Sequence, residues 1–236
     1  MALPKIKHPV FTFEVPSSKK KIKMRPFTVR EEKLLVIANE FSVEDVSETV
    51  IQVLNNCNLS SEIKIEKLSY FDVEFLFLKL RSKSVNEIIE LTYKADSGNI
   101  DFELNLDDVK VKYQQGHSDL VRVSDDIVLK MRYPNFKDSM KIAEILSKEE
   151  VERDDDELFS LYTSSVQTVF DGEEEFSNFT KEEIEAFIMD IPSEALGKLY
   201  EFFETMPSLE HEIHLKTKDG EEIRILLRGL SGFFPH

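Results

Sequence analysis

The sequence predicts an α+β protein with an N-terminal β-hairpin and helices, central antiparallel strands, and C-terminal helices that close with a β-hairpin. Three stretches of hydrophobic periodicity predict this class, and the composition supports it. Hydrophobic residues repeat at helical spacing over residues 28–80, at alternate positions over residues 88–133, and at helical spacing again from residue 136. Hydrophobic residues make up 41% of the 236 residues, which is enough to build a buried core.

The first element is a hairpin. V-F-T-F-E-V (10–15) alternates as a half-buried strand does, P-S-S (16–18) is typical of a turn, and K-K-I-K-M-R (20–25) forms the returning strand. We expect Ile22 and Met24 to face the core. The side chains of Lys21, Lys23 and Arg25 then lie on the opposite face.

Three helices follow the hairpin. The first begins at a capping-box pattern formed by Thr28 and Glu31, and the second ends near residues 55–58. The third, over 69–80, is apolar on almost every side. A helix of this kind is buried, so we expect it to be central to the N-terminal part of the fold.

The rest of the chain alternates between the two periods. Strands are predicted at 88–93, 100–106, 109–113 and 127–133, with D-S-G-N (96–99) as a hairpin turn. Helices are predicted at 136–147, 157–170, 181–190 and 193–206, and a last hairpin around Asp219–Gly220. The two hairpin segments 94–104 and 216–226 share a similar sequence, which either shared turn chemistry or an internal repeat explains.

An acidic run, K-E-E-V-E-R-D-D-D-E (148–157), is the best candidate for a domain boundary. We therefore predict three segments. They are an N-terminal α+β domain at 1–147, an acidic linker at 148–158, and a C-terminal helical segment with the terminal hairpin at 159–236.

Charge is unevenly distributed along the chain. The formal net charge is −16, yet residues 1–30 carry eight Lys or Arg and one acid, a net +7, which leaves −23 for the remainder. The basic residues concentrate at Lys19, Lys20, Lys21, Lys23 and Arg25. They are typical of the solvated face of a hairpin, and the alternative that we pursue is a protein-interaction face. A nucleic-acid site is disfavoured because the acidic remainder repels phosphate and because stacking aromatic residues are not interleaved with the basic ones.

Signals of catalysis and of cofactor binding are thin. The chain lacks the glycine-rich phosphate-binding patterns and the G-x-S-x-G nucleophile pattern. His211 and His214 lie three apart on a predicted strand, so they point to opposite faces and do not converge on a metal. The single Cys57 follows an apolar helix and is expected to be a buried thiol. We expect no enzymatic activity, no cofactor and no metal.

The apolar runs are too short to cross a membrane, and the N-terminus has no secretory signal pattern. One cysteine cannot form an internal disulfide, which fits a reducing interior such as a cytoplasm.

Several sequence blocks resemble one viral family in order and spacing. They are M-A-L-P-K-I (1–6), P-F-T-V-R-E-E-K-L-L-V-I-A (26–38), L-N-N-C (54–57), F-D-V-E-F-L-F-L-K-L-R-S-K-S-V-N-E (71–87) and F-F-E-T-M-P-S-L (202–209). The chain resembles the baseplate hub proteins of T-even-like contractile-tail bacteriophages, of the T-four gene-twenty-six type. The likeness covers nearly the whole chain and is weak over 148–180.

The resemblance implies a structural or assembly role in the hub of the tail baseplate, through contacts with other hub proteins. It implies no catalytic residues. We also expect no nucleic-acid or small-molecule ligand, and a homo-oligomer is possible. The protein would act in the host cytoplasm during assembly and lie in the tail baseplate if retained. A transient assembly chaperone that is absent from the mature virion is the first alternative, and a tail-associated hydrolase is the second.

Overall fold

The structure, a computed structural model, describes residues 4, 6–38, 43–95, 98–149, 152–216 and 220–234. This part contains eight α-helices and eleven strands, and each strand pair in it is antiparallel. The α+β class is therefore confirmed. The chain divides into two compact units, a first unit of Met1–Lys112 with Ser208–His236 and a second unit of Tyr113–Pro207.

The elements follow one another along the chain in this order: β1 (Phe11–Glu14), β2 (Lys21–Met24), α1 (Val29–Ala38), α2 (Val43–Cys57), a 3₁₀ turn (Ile65–Lys67), α3 (Tyr70–Ser84), β3 (Ile88–Ala95), β4 (Gly98–Asn105), β5 (Lys110–Lys112), β6 (Leu120–Arg122), β7 (Ile127–Met131), α4 (Phe136–Ser147), α5 (Asp155–Thr163), β8 (Val166–Asp171), β9 (Glu174–Phe176), α6 (Lys181–Met189), α7 (Ser193–Glu204), β10 (Ser208–Lys216), β11 (Glu222–Arg228) and α8 (Gly229–Phe233).

Helix α3 lies in the core of the first unit, as its apolar surface predicts. The side chains of Leu76, Leu78 and Leu80 are fully buried, and Phe77 is nearly so. The helix begins at a capping box. The Ser69 hydroxyl accepts the backbone N–H of Asp72, and the Asp72 carboxylate accepts the backbone N–H of Ser69.

The terminal hairpin joins the first unit. Strand β10 pairs with β11 on one side and with β5 on the other, so the sheet order is β11-β10-β5. Buried Leu209 and Phe233 belong to the same hydrophobic cluster as Leu78 and Leu106. The sequence-based division, which assigned this hairpin to a C-terminal segment at 159–236, therefore differs from the observed units. Pairing between β5 and β10 bridges about a hundred residues of chain, and no local pattern signals it.

The described residues of the acidic run 148–158 lie inside the second unit. Asp154 caps α5, since its carboxylate accepts the backbone N–H of Glu157 at 2.9 Å. Residues 150 and 151 lie outside the described part.

The second unit is built on the four-stranded sheet β6-β7-β8-β9, whose core includes Leu129, Val169 and Leu199. The helix predicted at 157–170 ends at Thr163, so its second half is wrong. Residues 166–171 instead form β8, which pairs with β7. Here a buried Val166, an exposed Gln167 and a buried Thr168 alternate as a strand requires.

Two predicted hairpin turns fall partly on residues outside the described part, the D-S-G-N turn (96–99) and the Asp219–Gly220 turn. The strands that flank them do pair. Ala95 is opposite Gly98, and Lys216 is opposite Glu222. Among the described residues, no helix has both the length and the apolar character that a membrane span requires.

A buried carboxyl group, that of Glu74, joins α3 to the C-terminal helix of the first unit. Its side chain is 1% exposed, and it accepts the backbone N–H of Leu230 at 2.9 Å. The adjacent Gly229 has a φ of 63°, and a Cβ there would lie 2.9 Å from the Glu74 carboxylate. Both facts require glycine at this position.

Burial raises the pKa of Glu74 to about 7, against the lowering effect of hydrogen bonds from Leu230 and Tyr70. Because the pKa of Glu74 is higher in the folded than in the unfolded protein, this group stabilises the fold fully below the ordinary carboxyl pKa. That stabilisation is lost as the pH rises through 7. In wild type, we expect the free energy of unfolding to fall by about 2–3 kcal/mol between pH 5 and pH 8 as Glu74 ionises. In Glu74→Gln this fall should be absent, because glutamine does not ionise. Urea unfolding of both proteins across this range measures it, and identical pH profiles would contradict it.

Candidate interaction surface on the N-terminal hairpin

The strand register of the β1–β2 hairpin separates an inner from an outer face. Cross-strand partners on the inner face are Phe11 with Met24 and Phe13 with Ile22; those on the outer face are Thr12 with Lys23 and Glu14 with Lys21. Ile22 and Met24 are fully buried, as the alternation predicts. The outer face is exposed along both strands.

Four lysines define what we call the basic face: Lys19, Lys20, Lys21 and Lys23. All four side chains are exposed. Lys19 lies 3.9 Å from Glu14 in an exposed ion pair. In the part of the chain that the structure describes, no carboxylate lies within 4.0 Å of the amino groups of Lys20, Lys21 or Lys23. The positive charge of this face is therefore mostly directed to solvent.

The turn of the hairpin is fixed to the buried helix α3. Ser17 donates two hydrogen bonds to the Asp72 carboxylate, from its backbone N–H at 2.8 Å and from its hydroxyl at 2.5 Å. Within the turn, Val15 donates its N–H to the Lys20 carbonyl, and Lys19 donates its N–H to the Val15 carbonyl. Because Asp72 also caps α3, one carboxylate holds both the helix start and the basic turn.

The outer edge of β2 is held by the segment that follows α2. The Lys23 N–H donates to the Ser60 hydroxyl at 2.9 Å, and the Leu59 N–H donates to the Lys23 carbonyl at 2.8 Å. The Arg25 N–H donates to the Cys57 carbonyl at 3.0 Å. The backbone beneath the lysines is thus anchored at the turn and along this edge, which fixes the spacing of their Cα atoms.

Arg25 does not belong to the basic face, so its predicted outward position is wrong. Its guanidinium donates two hydrogen bonds to the Glu31 carboxylate, Nη2 to Oε1 at 3.0 Å and Nη1 to Oε2 at 3.1 Å. Strand β2 ends at Met24, so the alternation of faces no longer applies one residue later. The Arg25 side chain is 21% exposed and that of Glu31 is fully buried.

The buried Arg25–Glu31 pair also organises the start of α1. Glu31 accepts the Thr28 backbone N–H at 2.9 Å, which is half of the capping box that the sequence predicts. Burial alone would raise the pKa of Glu31, but hydrogen bonds from Arg25 and Thr28 outweigh it and lower the pKa to about 2. The carboxylate is therefore ionised at all physiological pH values.

The remaining candidates for chemistry lie apart from one another. His211 and His214 occupy opposite faces of β10, and in the part of the chain described by the structure no three or more His, Cys, Asp or Glu side chains are placed to hold a metal ion together. Cys57 is fully buried, and burial raises the pKa of its thiol to about 11. A thiol of that kind is protonated at neutral pH, which makes it a poor nucleophile.

The residues that hold the basic face in place were not predicted from the sequence. Asp72 and Ser17 are 55 residues apart, so their contact has no local signal. The capping role of Asp72 did have one, because Ser69 precedes it by three residues at the start of an apolar run.

A protein-family model described as T4 bacteriophage base plate protein matches residues 8–235. The match spans both compact units and includes 148–180, where the sequence blocks gave little resemblance. A search of curated proteins and a search of solved structures gave no significant match.

Proposed function

Since the chain belongs to the family of T4 bacteriophage base plate proteins, we propose that it is a structural and assembly component of the hub of the tail baseplate. It acts through protein–protein contacts and carries out no catalysis. Its partners are other hub proteins, which it meets in the host cytoplasm while the baseplate is assembled.

The observation that carries this proposal is the anchored basic face on a strongly acidic chain. Four exposed lysines lie within five residues, and the backbone beneath them is hydrogen-bonded to α3 and to the segment after α2. Complementary charges accelerate and orient protein association, and a backbone that is already anchored needs little reordering when a partner binds. An acidic surface on a neighbouring hub protein is the partner that this face fits.

Reversing two charges of the basic face tests the proposal. Lys21→Glu/Lys23→Glu should leave the free energy of unfolding within about 1 kcal/mol of wild type, since both side chains are exposed and the one new like-charge pair, with Glu14, is also exposed. It should nevertheless reduce the yield of complete baseplates in infected cells, because the array then repels its acidic partner. Complementation of a phage that lacks the gene measures the yield.

The matched control is Lys94→Glu/Lys137→Glu, which makes the same change in net charge at two exposed lysines outside the hairpin. It should assemble normally. Normal assembly of the Lys21→Glu/Lys23→Glu variant would refute the interface, and binding of wild type to DNA at physiological salt would favour a nucleic-acid role instead.

Mass spectrometry of purified virions beside infected-cell lysate separates a retained hub subunit from a transient assembly chaperone. We expect peptides of the chain in both samples, and their absence from virions would favour the chaperone. A lysis assay with the purified protein tests the hydrolase alternative. Envelope hydrolysis above that of a buffer control would contradict a purely structural role.

A further inference from the structure

A second charged surface, of opposite sign, lies in the second unit. We call Asp171, Glu173, Glu174 and Glu175 the acidic turn. They lie at the β8–β9 hairpin, whose turn residue Gly172 has a φ of 57°, a conformation that favours glycine. The Gly172 N–H donates to the Asp126 carbonyl at 3.1 Å, which ties the turn to the rest of the sheet.

The acidic turn is open to solvent on all sides that the structure describes. Each residue from 171 to 178 is exposed, and Phe176 is 49% exposed beside the acids. Strand β9 ends the four-stranded sheet, and no described strand pairs with its outer edge. Within the described ranges, no Lys or Arg lies at salt-bridge distance from these four carboxylates.

We propose that the basic face of one copy binds the acidic turn of a second copy of this chain. The basic face presents four lysines and the acidic turn four carboxylates, and both lie on hairpins whose backbones are held by hydrogen bonds. Because each copy carries a net charge of −16, two copies repel each other in most orientations. Contact between these two surfaces is an orientation in which that repulsion is locally reversed.

The contact joins two different surfaces, so it is heterologous. A copy that uses its basic face still offers its acidic turn, and association therefore continues head to tail until a ring closes or a chain extends. This inference rests on the proposed function, because both use the basic face. Here the partner is a second copy of the chain. It is tested with purified protein alone, so its outcome does not depend on incorporation into a baseplate.

Two neutralising variants of the full chain distinguish the two surfaces. Lys21→Ser/Lys23→Ser removes half of the basic face, and Glu174→Gln/Glu175→Gln removes half of the acidic turn. In sedimentation velocity at about 0.05 M salt, where charges are weakly screened, wild type should gain mass with rising concentration. Each variant should self-associate at least about tenfold more weakly.

Mixing the two variants gives the decisive result. The first retains an intact acidic turn and the second an intact basic face, so the mixture should form one-to-one dimers that grow no further. The control Glu90→Gln/Glu103→Gln, which neutralises two exposed acids on β3 and β4, should associate like wild type.

Three outcomes would overturn the inference. They are a wild type that stays monomeric at every concentration, a mixture that forms no dimer, and association unchanged by Glu174→Gln/Glu175→Gln. The last outcome would leave the proposed hub function intact, because the basic face would remain available to an acidic surface of another hub protein.

Discussion

Replacing Arg25 with methionine is expected to destabilise the protein by about 3–5 kcal/mol, the range typical of removing one partner of a buried ion pair. The Glu31 carboxylate is fully buried and would lose both guanidinium hydrogen bonds. The Thr28 cap of α1 depends on the same carboxylate, so the helix start should loosen as well. Urea unfolding at pH 7 measures the loss.

Lys23→Met is the matched control, because Lys23 lies two residues earlier with an exposed side chain and should cost under about 0.5 kcal/mol. The double variant Arg25→Met/Glu31→Gln should recover part of the loss, since it leaves no buried charge. Equal effects of Arg25→Met and Lys23→Met would show that Arg25 has no structural partner.

The pH dependence of Arg25→Met has a defined sign. In wild type, the lowered pKa of Glu31 contributes stability above the ordinary carboxyl pKa, and that stability is lost as the pH falls toward 2. Without Arg25 this contribution disappears. The stability difference between the two proteins should therefore be largest near neutral pH and should shrink in acid.

Local sequence patterns predicted the helices and strands that neighbouring residues determine. Strict alternation gave the hairpin and the burial of Ile22 and Met24. The helix predicted from residue 181 begins there as α6, where Thr180 and Glu183 form a capping box. The apolar surface of 69–80 gave a buried helix, because a helix with no polar face has no side to turn to water.

The features that sequence reasoning missed arise from contacts between distant segments. Strand β10 pairs with β5, and Ser17 binds Asp72, but neither contact produces a hydrophobic periodicity that could be recognised in the sequence. Arg25 illustrates the same limit at short range. Extending the alternation one residue past Met24 placed it outside, whereas a buried carboxylate on the next helix determines its position. Lys21 and Lys23 of the interaction surface were predictable because the strand period sets their direction, whereas Lys19 and Lys20 precede β2 and have no such signal.

Phe77→Ala is expected to lower the free energy of unfolding by about 3–5 kcal/mol, whereas Phe75→Ala should cost clearly less. Both residues lie on the apolar helix α3, and the sequence alone predicts burial for both. Phe77 is 7% exposed and packs against the rings of Phe27 at 5.8 Å and Phe234 at 6.4 Å between centroids. Phe75 is only partly buried and has the Lys79 amino group 5.5 Å from its ring centroid.

Truncation at Phe77 therefore leaves an enclosed cavity, while truncation at Phe75 leaves a site that solvent and the Lys79 side chain can reach. Chemical denaturation of both variants measures the two losses under one condition. A loss at Phe75 equal to or larger than that at Phe77 would show that burial does not determine the cost along this helix.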